Sequence, residues 1–163
     1  MSYALIVAIA RSPIGRFNGS LANIAATQLG AGVLDAAITR ATLPASAVNE
    51  VLLGNVLSAG LGQSPARQAA LAAGLPDSVA TQSINKVCGS GLQAVIHGAR
   101  MVSTREADFV LAGGMESMSQ APFMLKGART GLQTGNQMLV DSLIHDGLRD
   151  ATHDCHMGML AER

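Results

Sequence analysis

The chain has 163 residues, 48% of them apolar and 13% charged, which supplies a buried core and excludes a disordered reading. Eleven lysines and arginines balance eleven aspartates and glutamates, so neither nucleic acid nor an anionic membrane is expected as the main partner. Cys88 and Cys155 are too few and too far apart for a disulfide framework or a paired-cysteine zinc motif, and no run reaches the ~20 apolar residues of a membrane span.

The opening MSYALIVAIARSPIG lacks the basic leading segment of a signal peptide. With unpaired thiols, this points to a cytoplasmic protein. Residues 3–10 form a continuous apolar run with β-branched members, as expected of a strand buried on both faces. Residues 24–41 place Leu29, Val33, Leu34, Ala37, Ile38 and Ala41 at helical spacing. Gly30 and Gly32 each cost that helix about 1 kcal/mol relative to alanine, and close approach of a neighbouring element is the expected compensation.

A second strand is expected over residues 50–57. Ser64 and Pro65 then read as an N-cap followed by proline at the first helical position, and Gly74 and Pro76 end that short helix. Residues 79–87 read as a third strand. Residues 92–102 read as a helix with apolar residues on nearly every side, and so as an interior element. Residues 108–112 give a fourth strand, with Gly113 and Gly114 turning out of it. Strands alternating with helices predict an α/β fold with a parallel sheet covered on both faces.

After residue 117 the character changes. Residues 118–163 mix glycine, methionine and polar residues, with a short helix predicted over 138–144. Two units follow, an α/β domain over 1–117 and an excursion over 118–163. MGMLAER reads as a helix opening that reaches Arg163 without an exit signal, so a truncated chain is expected.

One cysteine sits at a strand-to-helix junction, in INKVCGSGLQAVIHGAR at 84–100. On composition alone, a lone cysteine is a small buried hydrophobe. At a helix start, however, free backbone N–H groups and the positive end of the dipole favour a thiolate. Gly89 and Gly91 leave room for a substrate or another backbone to approach, and a backbone N–H there suits an oxyanion. Passing an acyl group from a thioester to cysteine exchanges one thioester for another, so acyl transfer is the natural chemistry. GSGLQA at 89–94 also fits G-x-G-x-x-A. Its acidic candidates, Glu106 and Asp108, precede the next strand instead of ending it, which argues against a dinucleotide site.

NKVCGSGLQAV resembles the nucleophile motif of the thiolases, especially their short-chain acetoacetyl-CoA type, the acetyl-CoA C-acetyltransferases. ARSPIGRFNGSL, GQSPARQAAL, AGGMESMSQAPF and HMG are similar to segments of that family in the same order. The resemblance covers essentially the whole chain but roughly the first two-fifths of a typical thiolase. It implies a layered thiolase-like fold, an N-terminal half-sheet with covering helices over 1–117, and the beginning of a CoA-covering loop domain over 118–163.

The resemblance also implies that Cys88 is the nucleophile, accepting acetyl from acetyl-CoA, so that acetoacetyl-CoA is formed or cleaved without a metal or redox cofactor. It implies a homo-oligomer, usually a tetramer. His156 and Met157, in the HMG segment, are implied to bind substrate near the short acyl group. The family's activating histidine, second cysteine and asparagine lie in its second half and match no residue here; the context of Cys155, HDCHMG, belongs to the loop domain. Longer-chain 3-ketoacyl-CoA thiolysis, or an inactive or complementing fragment, are the alternatives.

The other histidines read differently. His97 is expected as a hydrogen-bonded core residue, and His145 and His153 as surface residues. His153, Cys155 and His156 lack a convincing fourth ligand for a metal. Arg67 reads as an interface residue or as an exposed helical arginine. Lys86 either supports the Cys88 thiolate or points elsewhere.

Overall fold

The protein, described over residues 3–162 by a computed structural model, is built around one strand. Val51, Leu52 and Leu53 of β1 (Glu50–Gly54) are 0–1% exposed, as a strand covered on both faces must be. β2 (Ala80–Ile84) and β3 (Val110–Gly114) flank it in parallel, giving the order β2-β1-β3. Alternation divides the core. Val51 and Leu53 pack with Leu34, Ile38, Ala66 and Ala69 from α1 (Ala26–Ala41) and α2 (Pro65–Ala72). Leu52 packs on the other side with Ile84 and with Ala94 of α3 (Ser90–Thr104). The result is the expected α/β arrangement of helices on both faces of a parallel sheet.

Two asparagines bracket β1 in sequence and in space. At its start, Asn49 Oδ1 accepts from Asp108 N and Phe109 N, both at 2.9 Å, fixing the entry to β3. At its end, the backbone N–H of Asn55 donates to Ile84 O at 3.0 Å, at the exit of β2. The helix starts are fixed by equally specific contacts. Ser64 occupies the N-cap of α2 without a side-chain bond; Ser83 Oγ of β2 instead accepts Ala66 N at 3.1 Å. Arg67 is half-buried and donates to Val79 O at 2.6 Å and Asp77 O at 2.5 Å, securing the turn before β2.

The two helix glycines have different reasons. A Cβ on Gly30 would stand 2.6 Å from Met115 Sδ and 3.2 Å from Ala69 Cβ, so this glycine does permit close packing. At Gly32 no described residue lies within 4 Å of the added atom, so the expected close approach is absent among the described residues. Urea denaturation should therefore separate them. Gly30→Ala is expected to lose about 1–2 kcal/mol by overpacking. Gly32→Ala should gain up to about 1 kcal/mol from helix propensity.

Several expectations need correction. Residues 3–10 form no strand and join no sheet among the described residues, and Tyr3, Leu5, Ile6, Val7 and Ile9 are 65–81% exposed. An apolar run states a capacity for burial, whereas a strand needs a neighbour to accept its ladder bonds. The nearest tether is Arg40 Nη1, which donates to Ile9 O at 2.6 Å. Likewise α3 buries only the small stripe Ser90, Ala94 and Gly98, while Leu92 is 67% exposed. Its second apolar face is uncovered by the described residues, so α3 is not an interior helix here. His97 is half-buried and has no hydrogen-bond partner among the described residues.

Gly113 and Gly114 belong to β3, where they replace the expected turn. Beyond them the chain forms two small antiparallel pairs. β4 (Phe123–Met124) pairs with β5 (Val140–Asp141), and β6 (Arg149–Asp150) pairs with β7 (Cys155–His156). The helical turn expected over 138–144 begins later and spans Leu143–Leu148. It starts where Ser142, its N-cap, is buried and bonded through Oγ to Pro122 O at 2.6 Å. Met157–Ala161 forms α4, and Arg163 lies outside the described residues.

Candidate active site

The seat for Cys88 is made from glycines at the ends of two strands. Gly54 and Gly114 are register partners at the C-terminal ends of β1 and β3. A Cβ on Gly54 would lie 2.5 Å from both Gly91 N and Ser90 C, and one on Gly114 would lie 3.2 Å from Gly91 Cα. The first turn of α3 thus rests directly on the strand ends, where side chains would hold it away. Cys88 stands just before the Gly89 N-cap of α3, exposed and free as a thiol.

The turn presenting that thiol is tightly specified. Val87, a β-branched residue, has φ 49°, a left-handed conformation that persists only when its surroundings impose it. Asn85 Oδ1 accepts Val87 N at 2.9 Å, and Ser90 Oγ donates to Val87 O at 2.6 Å while accepting Lys86 N at 2.8 Å. The amides of Gly89 and Ser90 donate to Lys86 O and Val87 O, each at 3.1 Å. Those two N–H groups are committed to the turn, so neither is free for an oxyanion. Lys86 directs its ammonium to Gln93 Oε1 at 2.7 Å.

Cys88 opens onto a cavity of about 680 Å³. Its walls come from the N-terminal segment at Arg11 and Phe17, the strand exits at Asn55 and Glu116, the α3 start at Gly91, and the helical turn at Leu148. This volume lies in the usual range for small-molecule sites. The loop after β3 is tied to the N-terminal segment: Ser117 Oγ donates to Ile24 O and Ser119 Oγ accepts Asn18 N, both at 2.9 Å, and Gln120 Nε2 bonds Ala22 O.

Glu116 is the half-buried acid of this cavity. Its Oε1 accepts from Asn55 Nδ2 at 2.8 Å and Leu57 N at 3.2 Å, and Oε2 accepts from Val56 N at 2.8 Å. Burial raises its pKa above the ordinary carboxylate value, while the Val56 and Leu57 amides pull it down. Because the folded value is the higher one, ionising Glu116 lowers stability as pH rises through that interval. Neither Glu116 nor Asn55 was singled out by the sequence reading. The available signals were an acid directly after an apolar strand and an asparagine at a strand exit.

Neither His156 nor Met157 is among the residues lining the Cys88 cavity. His156 Nδ1 accepts Gly158 N at 3.1 Å and thereby caps α4. His145 and His153 are both exposed, as expected: Nε2 of the first contacts Lys126 Nζ at 2.6 Å, and Nδ1 of the second contacts Asp150 Oδ1 at 2.9 Å. Bonds from the His153 backbone and ring lower the pKa of Asp150.

A strand-seated thiol before a helix, facing a cavity, is shared by more than one acyl-transfer fold. The profile "Thiolase, N-terminal domain" matches residues 4–163. The chain belongs to the thiolase family. Its match to a probable acetyl-CoA acetyltransferase of Escherichia coli is 53% identical and covers 99% of this chain and 41% of that protein. An acetyl-CoA acetyltransferase of Pseudomonas aeruginosa is 52% identical over the same shares. The Acat5 thiolase of Ascaris suum, solved in complex with coenzyme A, superposes with a TM-score of 0.92 at 42% identity. That superposition covers 98% of this chain and 41% of the Acat5 chain. This thiolase chain therefore spans about two-fifths of the length of these relatives, and its α/β layers are those of the N-terminal part of the fold. No helix among its described residues is long and apolar enough to cross a membrane.

Proposed function

We propose that this chain carries the acyl-accepting part of an acetyl-CoA acetyltransferase, with Cys88 as nucleophile. The observation that carries the reading is the exposed thiol at the start of α3, fixed over paired strand glycines and open to a cavity of about 680 Å³. In the proposed step the Cys88 sulfur attacks the acetyl carbonyl carbon of acetyl-CoA. The carbon–sulfur bond to CoA breaks, CoA leaves and takes up the proton given by Cys88, and a thioester is formed as another is lost. Nothing is oxidised or reduced, so the step needs no redox cofactor, and the family resemblance implies no metal. A reducing cytoplasmic setting suits a free thiol in this role.

Acetoacetyl-CoA is then the product of attack by a second acetyl-CoA, or the substrate in the cleavage direction. The acid/base groups for that half-reaction match no residues of this chain by resemblance. The exposed apolar side chains of residues 3–10 and the open face of α3 favour completion by further polypeptide and assembly into a homo-oligomer. His156 and Met157 are proposed to contact the short acyl group on the strength of the HMG motif.

Substrate length provides the test. Thiolysis is compared between acetoacetyl-CoA and a long-chain 3-ketoacyl-CoA, using the chain alone and with the remaining length of a relative supplied. A preference for acetoacetyl-CoA of about tenfold or more is expected, equivalent to ~1.4 kcal/mol in the barrier. Preference for the long chain would defeat the short-chain assignment.

A further inference from the structure

Glu116 receives donors from one consecutive stretch, residues 55–57, and has no ion pair among the described residues. Withdrawing a carboxylate from water without a cation beside it is unfavourable unless several hydrogen bonds hold it. For merely filling the space, an apolar side chain would serve better. The donors identify what the charge does: it fixes the exit of β1 against the exit of β3.

Asn55 extends this link. Its backbone N–H reaches Ile84 O at the end of β2, and its Nδ2 faces two acceptors, Glu116 Oε1 at 2.8 Å and Met115 O at 3.3 Å. Turning the amide over would set its oxygen against both acceptors, so its orientation is determined. Asn55 is 4% exposed, and its Oδ1 is buried with no partner among the described residues. Three strand ends therefore meet at Asn55 and Glu116, and both residues line the cavity onto which Cys88 opens.

We propose that Glu116 is a positioning residue for acyl transfer. By holding residues 55–57 and the Asn55 amide, it sets the cavity wall that orients the acyl thioester against the Cys88 sulfur. This rests on the acyl-transfer reading above. Glu116→Gln keeps the size but turns one acceptor oxygen into an N–H donor facing other donors.

The test uses the whole chain, wild type and Glu116→Gln, with three measurements. Amide hydrogen exchange at Val56 and Leu57 should accelerate about tenfold or more in the variant, with Val51–Leu53 unchanged. Acetylation of Cys88 at saturating acetyl-CoA should slow about tenfold or more, because misplacement costs rate, while the half-saturating concentration changes less than about threefold. Alkylation of Cys88 by iodoacetamide, which needs only an exposed thiol, should stay within about twofold, with Cys155 as the internal reference. Glu116→Asp, one methylene shorter with both oxygens kept, should show the same split with a smaller loss, and it replaces the glutamine variant if that fails to fold. Acetylation within about twofold of wild type after the two amides loosen, or amides that remain protected, would overturn the proposal. Absence of acetylation in the wild-type chain would instead overturn the acyl-transfer reading, and this proposal with it.

Discussion

Gly54→Ala is expected to displace α3 and to lower stability by about 3 kcal/mol or more, the upper range of overpacking. The added carbon would lie 2.5 Å from Gly91 N and from Ser90 C, and 2.7 Å from Ser90 Cβ. The first two are backbone atoms, so no rotamer change can relieve the collision. Either the start of α3 lifts from the sheet or β1 yields, and β1 holds the most buried large side chains of the chain. Against a typical total of 5–15 kcal/mol, that loss is large. Gly113→Ala is the matched control. Its nearest contact is Leu53 Cδ2 at 4.0 Å, so a change within about 0.5 kcal/mol is expected. Chemical denaturation of both variants checks the pair, and equal stability would refute the seat built from strand glycines.

Cys88→Ser should abolish acetyl transfer to the chain, by about a thousandfold or more, equivalent to ~4 kcal/mol in the barrier. A serine hydroxyl is far less acidic than a thiol, and among the described residues the polar side chains of its turn are engaged elsewhere: Ser90 and Asn85 bond within the turn, and Lys86 is bonded to Gln93. Cys88 is exposed, so the replacement should change stability by less than about 0.5 kcal/mol. Counting label retained from radiolabelled acetyl-CoA separates the variant from wild type and from Cys155→Ser, for which full labelling is expected. Retained labelling in Cys88→Ser would move the acceptor elsewhere.

The sheet and its helices were legible because their patterns are local. Residues 51–53 are apolar and continuous, α1 carries its apolar residues at helical spacing, and Pro65 opens α2 where the sequence places it. Local pattern also marked the strand-to-helix junction at Cys88. What it could not show was pairing partners. Residues 3–10 have the composition of a buried strand but no ladder among the described residues, and the second apolar face of α3 is likewise uncovered. Such burial depends on chain distant in sequence.

The site was half legible for the same reason. Gly89 and Gly91 drew notice beside the cysteine, yet the close contact is with Gly54 and Gly114, residues remote in sequence and adjacent only in the sheet. Glu116 and Asn55 are joined across 61 positions of sequence, so no periodicity reveals them. His156 and Met157 were selected by motif; His156 caps α4, Met157 opens it, and neither is among the residues lining the Cys88 cavity.

The central claim is that Cys88 accepts an acyl group, and mass spectrometry of the chain after exposure to acetyl-CoA tests it most directly. After proteolysis, an acetyl adduct labile to hydroxylamine should map to Cys88 in the segment INKVCGSGLQAVIHGAR. An unmodified Cys88, with acetyl absent or confined to Cys155 and lysines, would contradict the account.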